Sequence, residues 1–150
     1  MTRSSMAADA FRRGYNCSQS VTVAFHDLIG LTEPQAARLA SSFGGGMGRM
    51  REVCGAVSGM LLVAGILYGY DTPGDDEAKK RHYCLVQNLA GQFREAAGSI
   101  VCREILKNPP SDPNPTRRTA EFYEKRPCVR MVALAADILE KYIQDNPITP

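Results

Sequence analysis

Four of the five cysteines in this 150-residue chain share an address that suits thiolate chemistry. Cys17 follows Asn16, a good helix cap; Cys54 opens an apolar helix after a run of glycines; Cys102 stands three residues beyond Ser99; Cys128 follows Pro127. Each falls in or beside the first turn of an expected helix, where unpaired N–H groups carry partial positive charge. A thiol so placed has its thiolate favoured, and is a better nucleophile and metal ligand for it. Each also heads an apolar stripe at helical spacing: Cys17 with Val21, Ala24 and Leu28; Cys54 with Val57 and Leu61; Cys102 with Ile105 and Leu106; Cys128 with Val132, Ala135 and Leu139. All four are therefore expected to face one core. Cys84 lies mid-helix at the border of a stripe and reads as a spare buried thiol.

Cysteine is often simply a small buried hydrophobe, but four sharing a helix start and a core-facing stripe argue for more. No Cys-x-x-Cys occurs, so neither a zinc ribbon nor a thioredoxin-like dithiol is indicated. A long-range set of four suits an iron–sulfur cluster, a structural zinc site, or one or two redox-switching disulfides. The spacing leaves these open. Paired Cα separations of roughly 4.4 to 6.8 Å suit disulfides, whereas four-way convergence suits metal.

The run Ser42 to Met50 holds Gly44, Gly45, Gly46 and Gly48, and that many glycines cost conformational entropy. One reason for them is close approach of backbone to a bound group. Successive N–H groups there can form a concave donor site for an anion or for cluster sulfurs, with Arg49 or Arg51 adding charge. A tight turn between helices is the plainer reading. No Gly-Lys-Ser/Thr follows and no strand precedes, so this is not a nucleotide-binding phosphate loop. Gly55 and Gly59, one turn apart, allow a second helix to approach beside Cys54. His26 and His82 read as surface residues.

The elements that must position these residues are helices, since alternating runs bounded by turn residues are absent. The pattern predicts an all-α, single-domain bundle of about six or seven helices. Segments are expected over about 4–13, from the cap Asn16, from Thr32 to about Phe43, over about 51–68, from the acids 75–77 to about Ala97, from the cap Ser99 to about Leu106, within 116–125, and over about 127–144. Leu85, Leu89, Phe93 and Ala96 form the buried stripe of the long helix, with Lys79, Lys80, Arg81 and Glu95 toward water. Residues 108–115 are proline-rich and form a loop.

A hydrophobic content of 44% fills one core, and two domains of half this length would each be core-starved. The formal net charge of +2 arises from nearly balanced acids and bases, which excludes the field expected of a nucleic-acid binder. Arg12-Arg13 and Arg117-Arg118 read as solvated faces. The apolar stretch 53–70 is interrupted by glycines and falls short of the roughly 20 clean residues that span a membrane. No secretory signal is read at the N-terminus, so a cytoplasmic location is expected, where permanent disulfides are disfavoured.

The segments Gly14 to Val21, Phe43 to Gly48 leading into Val53 to Gly59, Gly98 to Arg103, and Pro127-Cys128 occur in the order of a known pattern. On these residues the chain resembles the C_GCAxxG_C_C family of redox-active proteins, a domain found also in split-Soret cytochromes. The resemblance covers nearly the whole chain and leaves Cys84 outside the motif. It implies a helical fold and a redox role. By analogy with the cytochrome relatives it implies an iron–sulfur centre, with Cys17, Cys54, Cys102 and Cys128 as ligands. No Cys-x-x-Cys-His is present, so covalent haem attachment is not expected. The leading expectation is electron transfer by the four cysteines, as cluster ligands or as thiol/disulfide pairs. Zinc in a structural or non-catalytic interaction module is the alternative, and a small-molecule pocket beside the glycine loop a third option. The redox partner is unknown, and a homodimer is compatible with the sequence.

Overall fold

Side-chain caps decide where the first helices begin in the computed structural model, which describes residues 1–148. Helix α1 (Arg3–Arg12) starts where the Ser5 N–H donates to the Thr2 hydroxyl. At α2 (Cys17–Ala24), the Gln19 N–H donates to the Asn16 side chain while the Asn16 N–H donates back to Gln19, a reciprocal capping box. Thr32 and Gln35 make a second box at α3 (Glu33–Ala40), where Pro34 occupies the first turn. Then follow α4 (Gly55–Tyr68), α5 (Asp76–Ala97), α6 (Cys102–Ile105), α7 (Ala120–Lys125) and α8 (Cys128–Asp145). Asp75 caps α5 and Thr119 caps α7. The expected all-α class is observed, and the two short helices, α6 and α7, fall within the separate segments expected over 99–106 and 116–125.

The apolar helix α4 is the centre of the bundle, with Ala56, Val57, Met60, Val63 and Ala64 buried. It lies against α2, and α1 packs along α8. The close approach of α4 to α2 depends on Gly55 and Gly59. A Cβ on Gly59 would come within 2.6 Å of the Ser18 carbonyl oxygen, and one on Gly55 within 3.1 Å of the Cys17 Cβ. Leu85, Leu89 and Phe93 of α5 and Val132, Ala135, Ala136 and Leu139 of α8 complete the core. Each large apolar side chain fully buried this way stabilises the fold by about 1.5–3 kcal/mol.

No strand forms among the described residues, but one antiparallel bridge joins Val53 to Val101. Through it the Cys54 N–H donates to the Ile100 carbonyl at 2.7 Å, and the Cys102 N–H donates to the Glu52 carbonyl at 2.6 Å. Two cysteines 48 positions apart are thereby set side by side on the backbone.

Several expectations need correction. Leu28 is exposed, because α2 ends at Ala24 and the chain turns through residues 25–30; Ile29 is buried instead. Ala96 is exposed, and Ala97 packs toward the core. The central helix begins at Gly55 rather than near Arg51, since Arg51 and the bridge at Val53 occupy the preceding residues. Ser99 does not cap α6: its hydroxyl accepts from the Val101 N–H, so Cys102 itself becomes the first helical residue. His26 and His82 are half-buried rather than on the surface, the His26 Nδ1 lying 2.9 Å from the Leu31 carbonyl oxygen. Cys84 is exposed, its side chain falling on the water side of the stripe.

Candidate functional site

The glycine run closes into a left-handed turn. Gly45, Gly46, Met47, Gly48 and Arg49 have φ of 65°, 71°, 67°, 56° and 69°, and Arg51 repeats the sign at 62°. Non-glycine residues in this region cost on the order of 1 kcal/mol or more each, so surrounding bonds must hold them. The Arg51 N–H donates to the Gly45 carbonyl at 3.1 Å, and the Glu52 N–H donates to Gly46 at 2.9 Å. The Arg49 guanidinium donates to the Asp112 carbonyl at 2.8 Å and the Thr116 hydroxyl at 2.7 Å, and Arg51 Nε donates to the Pro110 carbonyl at 2.9 Å. The two arginines thus pin the proline-rich loop over the glycine turn. At Gly46 the fit is closest: an added Cβ would stand 2.8 Å from the Cys102 Cβ and 2.7 Å from the Glu52 nitrogen.

This turn, the bridge and four helix starts bring Cys17, Cys54, Cys102 and Cys128 to one small enclosed space of about 30 Å³, bordered also by Gly45, Gly46 and Arg51. That is room for about one water molecule. Cys54 and Cys102 are buried, and Cys17 and Cys128 are half-buried. Cys84 is elsewhere, on the exposed side of α5. The expected convergence of the four is therefore observed. Gly45 and Gly46 border the cysteines; Gly44 and Gly48 line an adjoining open groove instead.

The thiols do not share one electrostatic fate. Cys17 and Cys128 border the same space, and their interaction favours the thiolate on Cys128 and the proton on Cys17. Cys17, followed by the guanidinium groups of Arg126, Arg118 and Arg51, lowers the Cys128 thiol to about 7 against burial. Cys17 is pushed well up, first by Cys128 and then by burial. At Cys54 the Ala56 and Val57 N–H groups at the start of α4 favour the thiolate, as its helix-start address predicts. Burial nevertheless outweighs them and raises it to about 12. Cys102 is raised by burial too, opposed by Arg51, whose Nη1 lies 3.7 Å from its sulfur. The expectation that all four thiols are activated is thus corrected: desolvation wins at Cys54 and Cys102, Cys128 and burial together raise Cys17, and only Cys128 is lowered.

The sequence pattern missed this charge. Arg118 is no solvated surface residue: it donates to the Phe11 and Tyr15 carbonyls at 2.5 and 2.7 Å and lies 4.0 Å from the Phe11 ring centroid. Arg126 sits 5.3 Å from the Phe122 ring centroid. The one cue in the sequence is Arg126-Pro127-Cys128, a cation two residues before a helix-start thiol.

The family model described as "Putative redox-active protein (C_GCAxxG_C_C)" matches residues 15–142. The chain belongs to this family. The matched region contains all four converging cysteines, the glycine turn and the whole of α4. Comparison with curated proteins and with solved structures found no match. No helix of the described residues is long and apolar enough to cross a membrane.

The donor set can be compared with the metal centres that such thiols serve. Among the described residues no three His, Cys, Asp or Glu side chains are grouped to hold one ion. A mononuclear zinc centre, which takes three or four protein ligands, is therefore a poor fit. A two-iron cluster takes two thiolates per iron, and the cysteines do fall into two pairs, Cys17 with Cys128 and Cys54 with Cys102 across the bridge. That donor set fits in kind and in number.

Proposed function

We propose that this C_GCAxxG_C_C protein is a thiol redox protein whose reactive pair is Cys128, the attacking thiolate, and Cys17, its resolving partner. The observation that carries the reading is that Cys17 and Cys128, both half-buried, line the enclosed space and the open groove beside it together, with Arg51, Arg118 and Arg126 on the same groove wall. The Cys128 thiolate attacks one sulfur of a disulfide acceptor and displaces the other as a thiolate, which takes a proton from water. The mixed disulfide brings the second sulfur into play: Cys17 loses its proton, attacks the Cys128 Sγ and displaces the other thiol. The acceptor disulfide is reduced to two thiols, and Cys17 and Cys128 are joined. Cys54 and Cys102, deeper and held protonated by burial, line the floor of the pair.

The test is titration of the reduced protein in thiol/disulfide buffers, with peptide mapping of the product. A Cys17–Cys128 disulfide forming reversibly as a two-electron couple is expected, and its absence from Cys17→Ser and Cys128→Ser. A protein that keeps all its thiols across the accessible range of potential overturns the reading.

The paired disposition of all four cysteines around one space supports a second reading, in which both pairs are ligands of a two-iron cluster supplying one-electron transfer. In it Cys17 and Cys128 hold one iron, Cys54 and Cys102 the other, and Arg51 donates toward the Cys102 sulfur. Anaerobic purification with iron and inorganic sulfide analysis decides between the readings: two of each per chain favours the cluster, metal-free protein with reversible dithiols the first.

A further inference from the structure

Cys17 and Cys128 form part of the wall of a second, larger space, an open groove of about 430 Å³ running between the glycine turn, the proline-rich loop and α7. This is the size of a small-molecule site rather than of a protein interface. Its lining carries Arg49, Arg51, Arg118 and Arg126 and no acidic side chain. Three of these guanidinium groups already have partners within the fold. Arg49 holds Asp112 and Thr116, Arg51 holds Pro110, and Arg118 holds the carbonyls of Phe11 and Tyr15. Arg126 differs: among the described residues its guanidinium has no hydrogen bond or ion pair, and it rests only beside the Phe122 ring. A half-buried cation with five donors, stacked on an aromatic face and backed by further positive charge, is arranged to receive a carboxylate in bidentate fashion.

From this we infer the substrate class of the dithiol pair, an inference that rests on the thiol reading above. The groove takes a carboxylate-bearing low-molecular-weight disulfide, with its anionic group on Arg126 and its scissile sulfur at Cys128. The exchange balances as already written: the small disulfide is reduced to two thiols while Cys17 and Cys128 are oxidised. The arginines draw the anionic oxidant into the groove, whose wall they share with Cys128.

The test compares three disulfide oxidants on the reduced full chain carrying Cys84→Ser, which removes the exposed thiol outside the site. Glutathione disulfide is anionic, hydroxyethyl disulfide neutral and cystamine cationic. The rate of Cys128 oxidation with each is divided by its rate with a free cysteine derivative, which removes intrinsic reactivity. The normalised rate for glutathione disulfide is expected to exceed that for the neutral oxidant by about tenfold at low salt, with cystamine slowest. The preference should shrink as salt is raised. Arg126→Gln should shrink it too, the anionic-to-neutral ratio being read because the variant also alters the thiolate itself. Equal normalised rates, or a preference for cystamine, overturn the groove assignment while leaving the dithiol reading standing. Failure of Cys128 to react with any of the three removes both.

Discussion

Cys54 and Cys128 both stand at helix starts, yet one thiol is raised to about 12 and the other lowered to about 7. Two N–H groups do not offset full burial at Cys54. At Cys128 the neighbouring Cys17 and three guanidinium groups do. Alkylation by iodoacetamide, followed site by site by mass spectrometry, should therefore show Cys128 reacting with an inflection near pH 7. Cys54 should stay unreactive until the protein unfolds. Cys17→Ala removes the largest favourable contribution and is expected to move the Cys128 inflection upward, toward the ordinary thiol range; no movement would mean that the pair is not coupled.

The same shifts have a stability consequence of definite sign. Cys128 is lowered from a thiol's ordinary 9.0 to about 7, so it contributes stability that is fully present above pH 9 and lost as pH falls through 7. Cys54 does the reverse: its contribution is present below pH 9 and lost as pH rises toward 12. Chemical unfolding of the reduced protein should thus show the difference between wild type and Cys128→Ser growing by about 2 kcal/mol from below pH 7 to pH 9. A pH-independent difference would contradict the assigned shift.

At the level of elements, the left-handed turn from Gly45 to Arg49 is where local backbone preference and tertiary need conflict most. Gly46→Ala adds a Cβ against the Cys102 side chain and the Glu52 nitrogen at positive φ. It is expected to destabilise by about 3 kcal/mol, strain and overpacking together, and to perturb Cys102. Gly91→Ala is the contrasting substitution: this glycine is inside α5 with open space around its Cβ position, and the change should stabilise by about 0.5–1 kcal/mol. Equal effects of the two on the urea midpoint would show that the turn does not require glycine. The helix starts were legible because Asn16, Thr32 and Asp75 carry their own capping chemistry. The starts at Cys54, Cys102 and Cys128 have no side-chain cap. Their positions depend on the bridge and on the preceding turn, so the sequence located them only approximately.

Over the whole molecule, the proposed Cys17–Cys128 bond would tie the start of α2 to the start of α8 and close most of the chain into a loop. Loop-closure entropy in the unfolded state then predicts that the oxidised protein is more stable than the reduced by about 2–4 kcal/mol. Denaturant titration of the two forms measures it, and a lower midpoint for the oxidised form would mean that joining the thiols distorts the core. The bundle itself was readable in outline, since Leu85, Leu89 and Phe93, and Val132, Ala135 and Leu139, recur at the helical period and are buried. Leu28 and Cys84 misled for one reason: periodicity gives a helix face but not where the helix stops or how wide its buried stripe is.

The sequence by itself determined the helical class, the convergence of Cys17, Cys54, Cys102 and Cys128, and the separation of Cys84 from them, because caps, apolar period and a motif in fixed order are all local signals. Only the tertiary structure decided which of the four thiols is activated. That outcome depends on Cys17, Arg51 and Arg118, which come to Cys128 from other parts of the chain to join the neighbouring Arg126, and on burial, which no single segment specifies.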